Sequence, residues 1–594
     1  MAGVAAYLMA IAFVHRSLSG RAQVLFRYLA AAVTVGGYFA AVHFFVEPKQ
    51  RAIDITKALI AVLAAGAVFY EQHRAGQQRP VAERWKRFIG ITLALAAVSA
   101  YFEGFNFGYA RFYHRHDQYH YYLGAKYFPE LGYDGLYRCT AVAEDEMGVV
   151  SYNSEDDIGA GSRRLDLSAE VRHADWKIRN LGGDNLLMPV TDVLAHPEVC
   201  KATFSPERWA SYKADIRFFR LASDKEYWKT MQNDHGYNPP PVWTVLGYYL
   251  ANFHAATTGY LQFLASIDMV LLAGVFAALW WAFGWRVSAV GAIFWGTQSV
   301  ADSSWTQGAF LRQDWLFFLV LAACLTRKRW FAAAGAAMVY SALLRIFPGL
   351  TVIGWLVVAG AYLVKHKTLS RPQWRMLAGG TLAAALLIPW SLHVCGRTVY
   401  KDFAQHTLEV HDKTPLTNHM GLRVLVGQKV PFEIPMLGIG NGPSSGRVKY
   451  VKDDKLADPF SVFMSMRNGR YAKYKPVAYG IVGLSLLFFI VVVRRIKSLW
   501  IAQCLAQIFI ILMSQLTNYY YAFMILFAPL TKAKRQLEVP LFGFAALSQF
   551  TAIVFGWLDD KYWVLTALCL AFCYGTICMF RQTRKAAEPA TEEA

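Results

Sequence analysis

The feature that most constrains this chain is a long succession of apolar runs, most of them close to the length of a membrane crossing. A spanning helix needs roughly 20 mostly apolar residues to cover about 30 Å of hydrocarbon. Runs of this kind occupy residues 24–45, 55–70, 89–101, 261–283, 287–300, 315–325, 331–344, 350–363, 377–390, 481–493, 499–513, 521–530, 541–555 and 564–579, and a weaker one begins at Met1. They predict an all-α polytopic membrane protein with about fifteen transmembrane helices, roughly 13–15. Composition agrees: 17% of the residues are charged, against about 25% in a soluble domain.

The net charge of +19 does not call for nucleic acid. Lys and Arg concentrate in short loops at 16–21, 74–87, 326–329, 365–375, 494–497, 532–535 and 581–585. Short cytoplasmic loops carry that excess. Alternating from them puts the N-terminus outside and the C-terminus inside. Residues 1–14 have no basic stretch ahead of the apolar run, so they read as an uncleaved span.

Two long segments then fall outside. The chain divides into N-terminal helices (1–110), an extracytoplasmic domain (111–240), central helices (241–396), a second extracytoplasmic segment (397–475), C-terminal helices (476–581) and a cytoplasmic tail (582–594). The first segment holds 20 acidic and 16 basic residues, which marks it as a domain, since long structureless loops are uncommon. Within it, Ser205 suits an N-cap and Pro206 the first helical position. Trp209, Tyr212, Ile216 and Phe219 follow on one face, so this helix is expected to lie on the membrane surface or pack on the spans. Cys139 and Cys200 share the segment and can pair if the compartment is oxidising. The other six cysteines lie in or near apolar runs and read as packing residues. The second segment has 13 basic and 7 acidic residues. Its Gly/Pro-rich stretch at 438–446 reads as mobile, and the polar tail from Lys585 as disordered.

Four constellations carry possible chemistry. The first runs from Arg111 through His114, Arg115, His116, Asp117 and His120 to Tyr122, where a span leaves the membrane. A carboxylate flanked by His and Arg can act as a general base toward a hydroxyl, although aromatic belts with solvated charges also occur at span ends. The second is Gly308–Asp314, where Arg312 and Asp314 are costly at the membrane edge unless paired or functional. The third is Ser341–Pro348, with Arg345 between two apolar runs. A guanidinium there is either a structural ion pair or a bidentate phosphate ligand. The fourth is Gln515–Tyr521, with Asn518, Tyr519 and Tyr520. His406, His411, Asn418 and His419 cluster in the second segment, but their spacing matches no standard metal pattern. A P-loop, a Gly-rich dinucleotide turn, a zinc CxxC pair and a nucleophile elbow are all absent.

These phrases resemble a known family. An Asp soon after an early span, an aromatic stretch, and Gly132-Tyr133-Asp134-Gly135-Leu136-Tyr137 are similar to the first outside loop of GT-C glycosyltransferases. These are multi-span enzymes that use polyprenyl-phosphate sugars. Tyr237-Asn238-Pro239-Pro240 resembles the family's Y-x-x-P-P phrase at the membrane return. Asn518-Tyr519-Tyr520 resembles its late H-Y-Y phrase, with Asn in place of His. The chain departs from many relatives in having about four spans before the first large loop.

The resemblance implies a sugar transferred from a polyprenyl-phosphate carrier to a glycan, lipid or protein acceptor on the outer face. Asp117 would be the catalytic base, with Asp134 the next candidate. Arg345, with Arg312, would grip the lipid phosphate. Asp314, His116, Tyr237, Asn238, Asn518, Tyr519 and Tyr520 would complete the substrate site. No cofactor is indicated and no metal is assigned, although a divalent ion is conceivable. The expected partners are the donor, the acceptor and the bilayer, with no nucleic acid, and the expected location is a bacterial inner membrane. The rival readings are a lipid-linked-saccharide flippase or secondary transporter, and a membrane assembly or scaffold protein.

Overall fold

A computed structural model describes residues 2–46, 49–104, 111–152, 163–428, 461–555 and 558–581. The stretch 438–446 and the tail 582–594 lie outside the described residues. Of the described residues, 77% are helical. Among them, eight helices are long and apolar enough to cross a membrane: Gly20–Phe45, Gln50–Gly76, Thr258–Phe283, Phe347–His366, Arg371–Cys395, Ser461–Val493, Arg535–Val554 and Leu558–Arg581. This is an integral membrane protein.

The remaining apolar runs are helical but shorter. Asp314–Arg327 and Phe331–Leu344 have 14 residues each, about 21 Å at 1.5 Å per residue, less than the hydrocarbon thickness. Trp285–Thr297 has 13 residues and is buried continuously from Val287 to Thr297. An all-round apolar helix can be the core of a bundle as well as a span. Here it packs against Glu83–Tyr101 and neighbours the Lys49–Gly76 helix.

Close helix contact rests on glycine. The Phe331–Leu344 and Arg371–Cys395 helices cross so tightly that a Cβ on Gly335 would lie 1.9 Å from the Met376 carbonyl oxygen. A Cβ on Gly379 would lie 1.9 Å from that of Ala332. Small residues are what allow membrane helices this approach. Elsewhere in the bundle, Arg286 donates to Glu538 at 2.8 and 2.6 Å and to Glu71 at 2.8 Å. Arg535 reaches the same Glu71 at 2.7 Å. The N-terminal helices are thereby tied to the late ones.

The 111–240 segment is a folded layer of short helices and two antiparallel hairpins, Val149–Tyr152 with Arg163–Asp166 and Lys177–Arg179 with Leu187–Pro189. The expected helix forms at Pro206–Leu221, with the Ser205 side chain accepting from the Arg208 N–H. Trp209, Tyr212, Ile216 and Phe219 are buried along one face, and the helix packs on Leu136–Met147 within the domain. Cys139 and Cys200 are joined by a disulfide. Lys126 and Asp215 form a buried ion pair at 2.7 Å, and Tyr127 donates to the same carboxylate. A third, long-range antiparallel pair joins His419–Met420 to Leu516–Thr517, in the register His419 opposite Thr517. It fastens the second outside segment to the late helices.

The helix crossing yields a direct prediction. Gly379→Ala should lower thermal stability in detergent, by about 1–3 kcal/mol as for other overpacked sites. An unchanged unfolding temperature would mean that the two helices are not in contact there.

Candidate functional site

The first constellation acquires its geometry from a backbone clasp. His114 donates its N–H to the Gly308 carbonyl at 2.8 Å. Gly308 sits at a φ of +70°, and a Cβ on it would lie 2.8 Å from that same His114 nitrogen. A side chain at 308 is therefore excluded both by backbone conformation and by space. The His114 ring caps the next turn by accepting from the Asp117 N–H at 2.9 Å. Arg115–Gln118 then runs into a π-helical turn, Tyr119–Leu123, a feature often found at functional sites.

Asp117 is buried and its partners are specific. One carboxylate oxygen accepts from Arg312 at 2.6 Å, and the other accepts the Phe310 N–H at 2.9 Å. Arg312 also lies over the Tyr121 ring at 3.9 Å and donates to the Tyr520 hydroxyl at 3.3 Å. Its own backbone N–H goes to Asp268 at 2.9 Å. Arg312 therefore already has a full anionic partner.

Arg345 does not. It caps the C-terminus of Phe331–Leu344, where an extended residue and a 3-10 turn at Phe347–Thr351 separate that helix from the next. One guanidinium nitrogen donates to the Leu344 carbonyl at 2.8 Å. The buried Nε and Nη2 have no hydrogen-bond partner. The faces of Trp243 and Tyr520 lie 5.7 and 6.0 Å away.

Asp117, Arg312 and Arg345 open on one cavity of about 1040 Å³, which His116, Asn238, Tyr519 and Tyr520 also line. Ligand cavities run to about 1,000 Å³, so this one has room for a large substrate or two smaller ones. Its wall is two-sided. His116, His120, Asp234 and His411 face it from the outside segments, whereas Ile346, Phe347, Leu350 and Met513 line it from the helices. Ile346 and Met513 are each 53% exposed. A polar chamber with an apolar edge suits an amphipathic ligand.

Several expected site residues lie elsewhere. Asp134 does not line the cavity; it pairs with Arg138 at 3.2 Å, one turn on, at a half-exposed helix start. Tyr237 is a packing residue. Its ring sits so close to Gly124 that a Cβ there would meet it at 2.2 Å, and its hydroxyl bonds Thr244 at 2.6 Å. Asp314 is buried outside the cavity lining. One of its oxygens caps the Trp315 N–H at 2.7 Å, and it is not within ion-pair distance of Arg345. Asn518 turns away toward Asp302 at 3.5 Å, and its N–H donates to the Asn418 carbonyl. Asn238 holds its place in the wall by accepting from Tyr121 at 2.7 Å.

Among the cavity residues not assigned to the site from the sequence are His120 and Asp234. His120 stands one turn after His116. Burial, with His116 nearby, pushes its imidazole down to about 4, so it is neutral at pH 7. Asp234 comes from the loop after the Lys225–Gln232 helix, with one oxygen 3.6 Å from His116 Nε2. The His116–His120 spacing was readable in the sequence. The approach of Asp234 from 114 positions further on was not. Of the second-segment cluster, His411, Asn418 and His419 line the cavity.

No protein-family model, curated protein or solved structure matches this chain.

The Asp117–Arg312 pair can be measured. Asp117→Asn and Arg312→Gln, made singly and together, should show a coupling of about 1–3 kcal/mol in thermal or denaturant unfolding. Additive losses would mean that the two side chains do not meet.

Proposed function

We propose that this protein is a membrane glycosyltransferase of the GT-C type. It would move a sugar from a polyprenyl-phosphate carrier to an acceptor hydroxyl on the extracytoplasmic face. The observation that carries this reading is Arg345: a buried guanidinium with two unpartnered donors, in the wall of a cavity that is polar on one side and apolar on the other. An uncompensated cation in such a place is unfavourable. An anionic group entering with the ligand offsets that cost. A lipid phosphate does so while its tail stays against Ile346, Phe347 and Met513.

In this mechanism the acceptor oxygen attacks the anomeric carbon as the bond to the carrier phosphate breaks. Asp117 takes the hydroxyl proton. The charge left on the phosphate is met by Arg345, and preorganised donors help most where charge develops. Arg312 holds Asp117 in place and spans the gap to Tyr520. The disulfide supports an extracytoplasmic domain, because such bonds persist in oxidising compartments. We place the protein in a bacterial inner membrane, N-terminus out and C-terminus in.

Arg345→Lys tests the grip. Lysine keeps the charge but loses the planar fork. Donor affinity should fall by about tenfold or more, equivalent to about 1.4 kcal/mol, with little change in unfolding temperature. Equal donor binding by the Lys variant would refute a bidentate phosphate grip.

A further inference from the structure

The cavity holds a second cluster of ionisable side chains, next to the Asp117–Arg312 pair. One ring nitrogen of His116, one of His120 and a carboxylate oxygen of Asp234 all lie within 4.8 Å of one another. We infer that His116, His120 and Asp234 bind a divalent transition-metal ion in the cavity wall.

Three features of the geometry carry this. The first is spacing. Two donors that share an ion at about 2.1 Å stand about 3–3.5 Å apart, and His116 Nε2 and the Asp234 oxygen are separated by 3.6 Å. A simple hydrogen-bonded pair would close to about 2.7–3.2 Å, so the two groups stand at the spacing of co-ligands. The third donor needs a side-chain movement of about 1 Å to reach the same shell.

The second is the orientation of His120. Its Nδ1 lies 2.6 Å from the His116 carbonyl oxygen, which can only accept. Nε2 likewise lies 3.0 Å from the Met231 carbonyl oxygen, so whichever ring nitrogen takes the ion, the other has a carbonyl to donate to. A ligating histidine characteristically donates its other N–H to a carbonyl in this way. Nε2 meets the Tyr137 hydroxyl at 2.6 Å, and that hydroxyl also accepts the Gly236 N–H at 2.9 Å. An ion on Nε2 displaces the Tyr137 hydroxyl and the Met231 carbonyl from that nitrogen, and one on Nδ1 displaces the His116 carbonyl.

The third is access. The three residues face a roomy cavity, so an ion held by them keeps open positions for water or a substrate oxygen. Two imidazoles and one carboxylate favour Zn²⁺, and next the harder Mn²⁺, over Mg²⁺ or Ca²⁺. The cluster lies beside Asp117 in sequence and in the same cavity wall. An ion there could bind the oxygen of an acceptor or sugar hydroxyl. The site itself does not depend on the donor's identity.

The test is uptake of Zn²⁺ and of Mn²⁺, each offered alone to purified, chelator-stripped protein. It is read by elemental analysis after desalting and by the rise in unfolding temperature. The expected result is one ion per chain. Affinity should fall by about tenfold or more in His116→Ala and Asp234→Asn but hold in His411→Ala, another histidine of the same cavity. His116 and Asp234 are 19% and 44% exposed, and the Asp234→Asn change is nearly isosteric. Unloaded variants that unfold at the wild-type temperature make loss of binding a local effect. Absence of stoichiometric uptake by the wild type would overturn the site. So would equal loss in His411→Ala, or full binding in both ligand variants. Donor binding by stripped protein keeps this separate from the transferase reading: a chain that binds donor but no metal loses only this site.

Discussion

The contact between Asp117 and Arg312 joins residues 195 positions apart and sets the position of almost everything around it. The carboxylate comes from the first turn of the outside domain, and the guanidinium from the loop that precedes the Asp314–Arg327 helix. Each would be costly to bury alone. Breaking such a pair by removing one partner typically costs about 3–5 kcal/mol, so the domain and the helices are held in one register. The same Arg312 lies over Tyr121, reaches Tyr520 and anchors its backbone on Asp268. Asp117 is therefore fixed in the wall of the cavity.

Against that satisfied pair, Arg345 stands out by its lack of one. Both arginines are buried in the wall of one chamber, and both contact the late aromatic pair Tyr519–Tyr520 or its neighbours. One has its anion built in. The other has two idle donors and an apolar opening beside it. That difference separates a positioning residue from a ligand-binding one. Asp314, the nearest sequence candidate for a structural partner, caps its own helix start through one oxygen and lies beyond ion-pair distance of Arg345.

Much of this architecture is legible in the sequence, and the failures have physical causes. The long apolar helices and the Ser205-capped helix follow from length and capping chemistry, whereas the pairing of Cys139 with Cys200 depended on geometry and an oxidising compartment that no linear pattern reveals. The short buried helices look like spans because a helix enclosed by other helices is as apolar as one facing lipid. The clearest example is Val287–Thr297, buried on every side. Asp117, Arg312, Arg345, Asn238, Tyr519 and Tyr520 do converge. Asp134, Tyr237 and Asn518 sit in equally suggestive phrases but spend their polar atoms on neighbours, which no linear pattern reveals. The His116–His120–Asp234 grouping needs the loop after the Lys225–Gln232 helix to return to the π-turn, and spacing alone could not bring the carboxylate there.

The most direct measurement follows the sugar. Purified protein in lipid vesicles is given a radiolabelled polyprenyl-phosphate sugar with candidate acceptors, and the label is traced between lipid, water and acceptor. The account predicts label released from the carrier or joined to an acceptor, with Arg345→Lys and Asp117→Asn much reduced. Label that crosses the bilayer still attached to its lipid would identify a flippase. Label that stays unmoved and uncleaved with every acceptor tried would point to a scaffold. Either outcome would contradict the account.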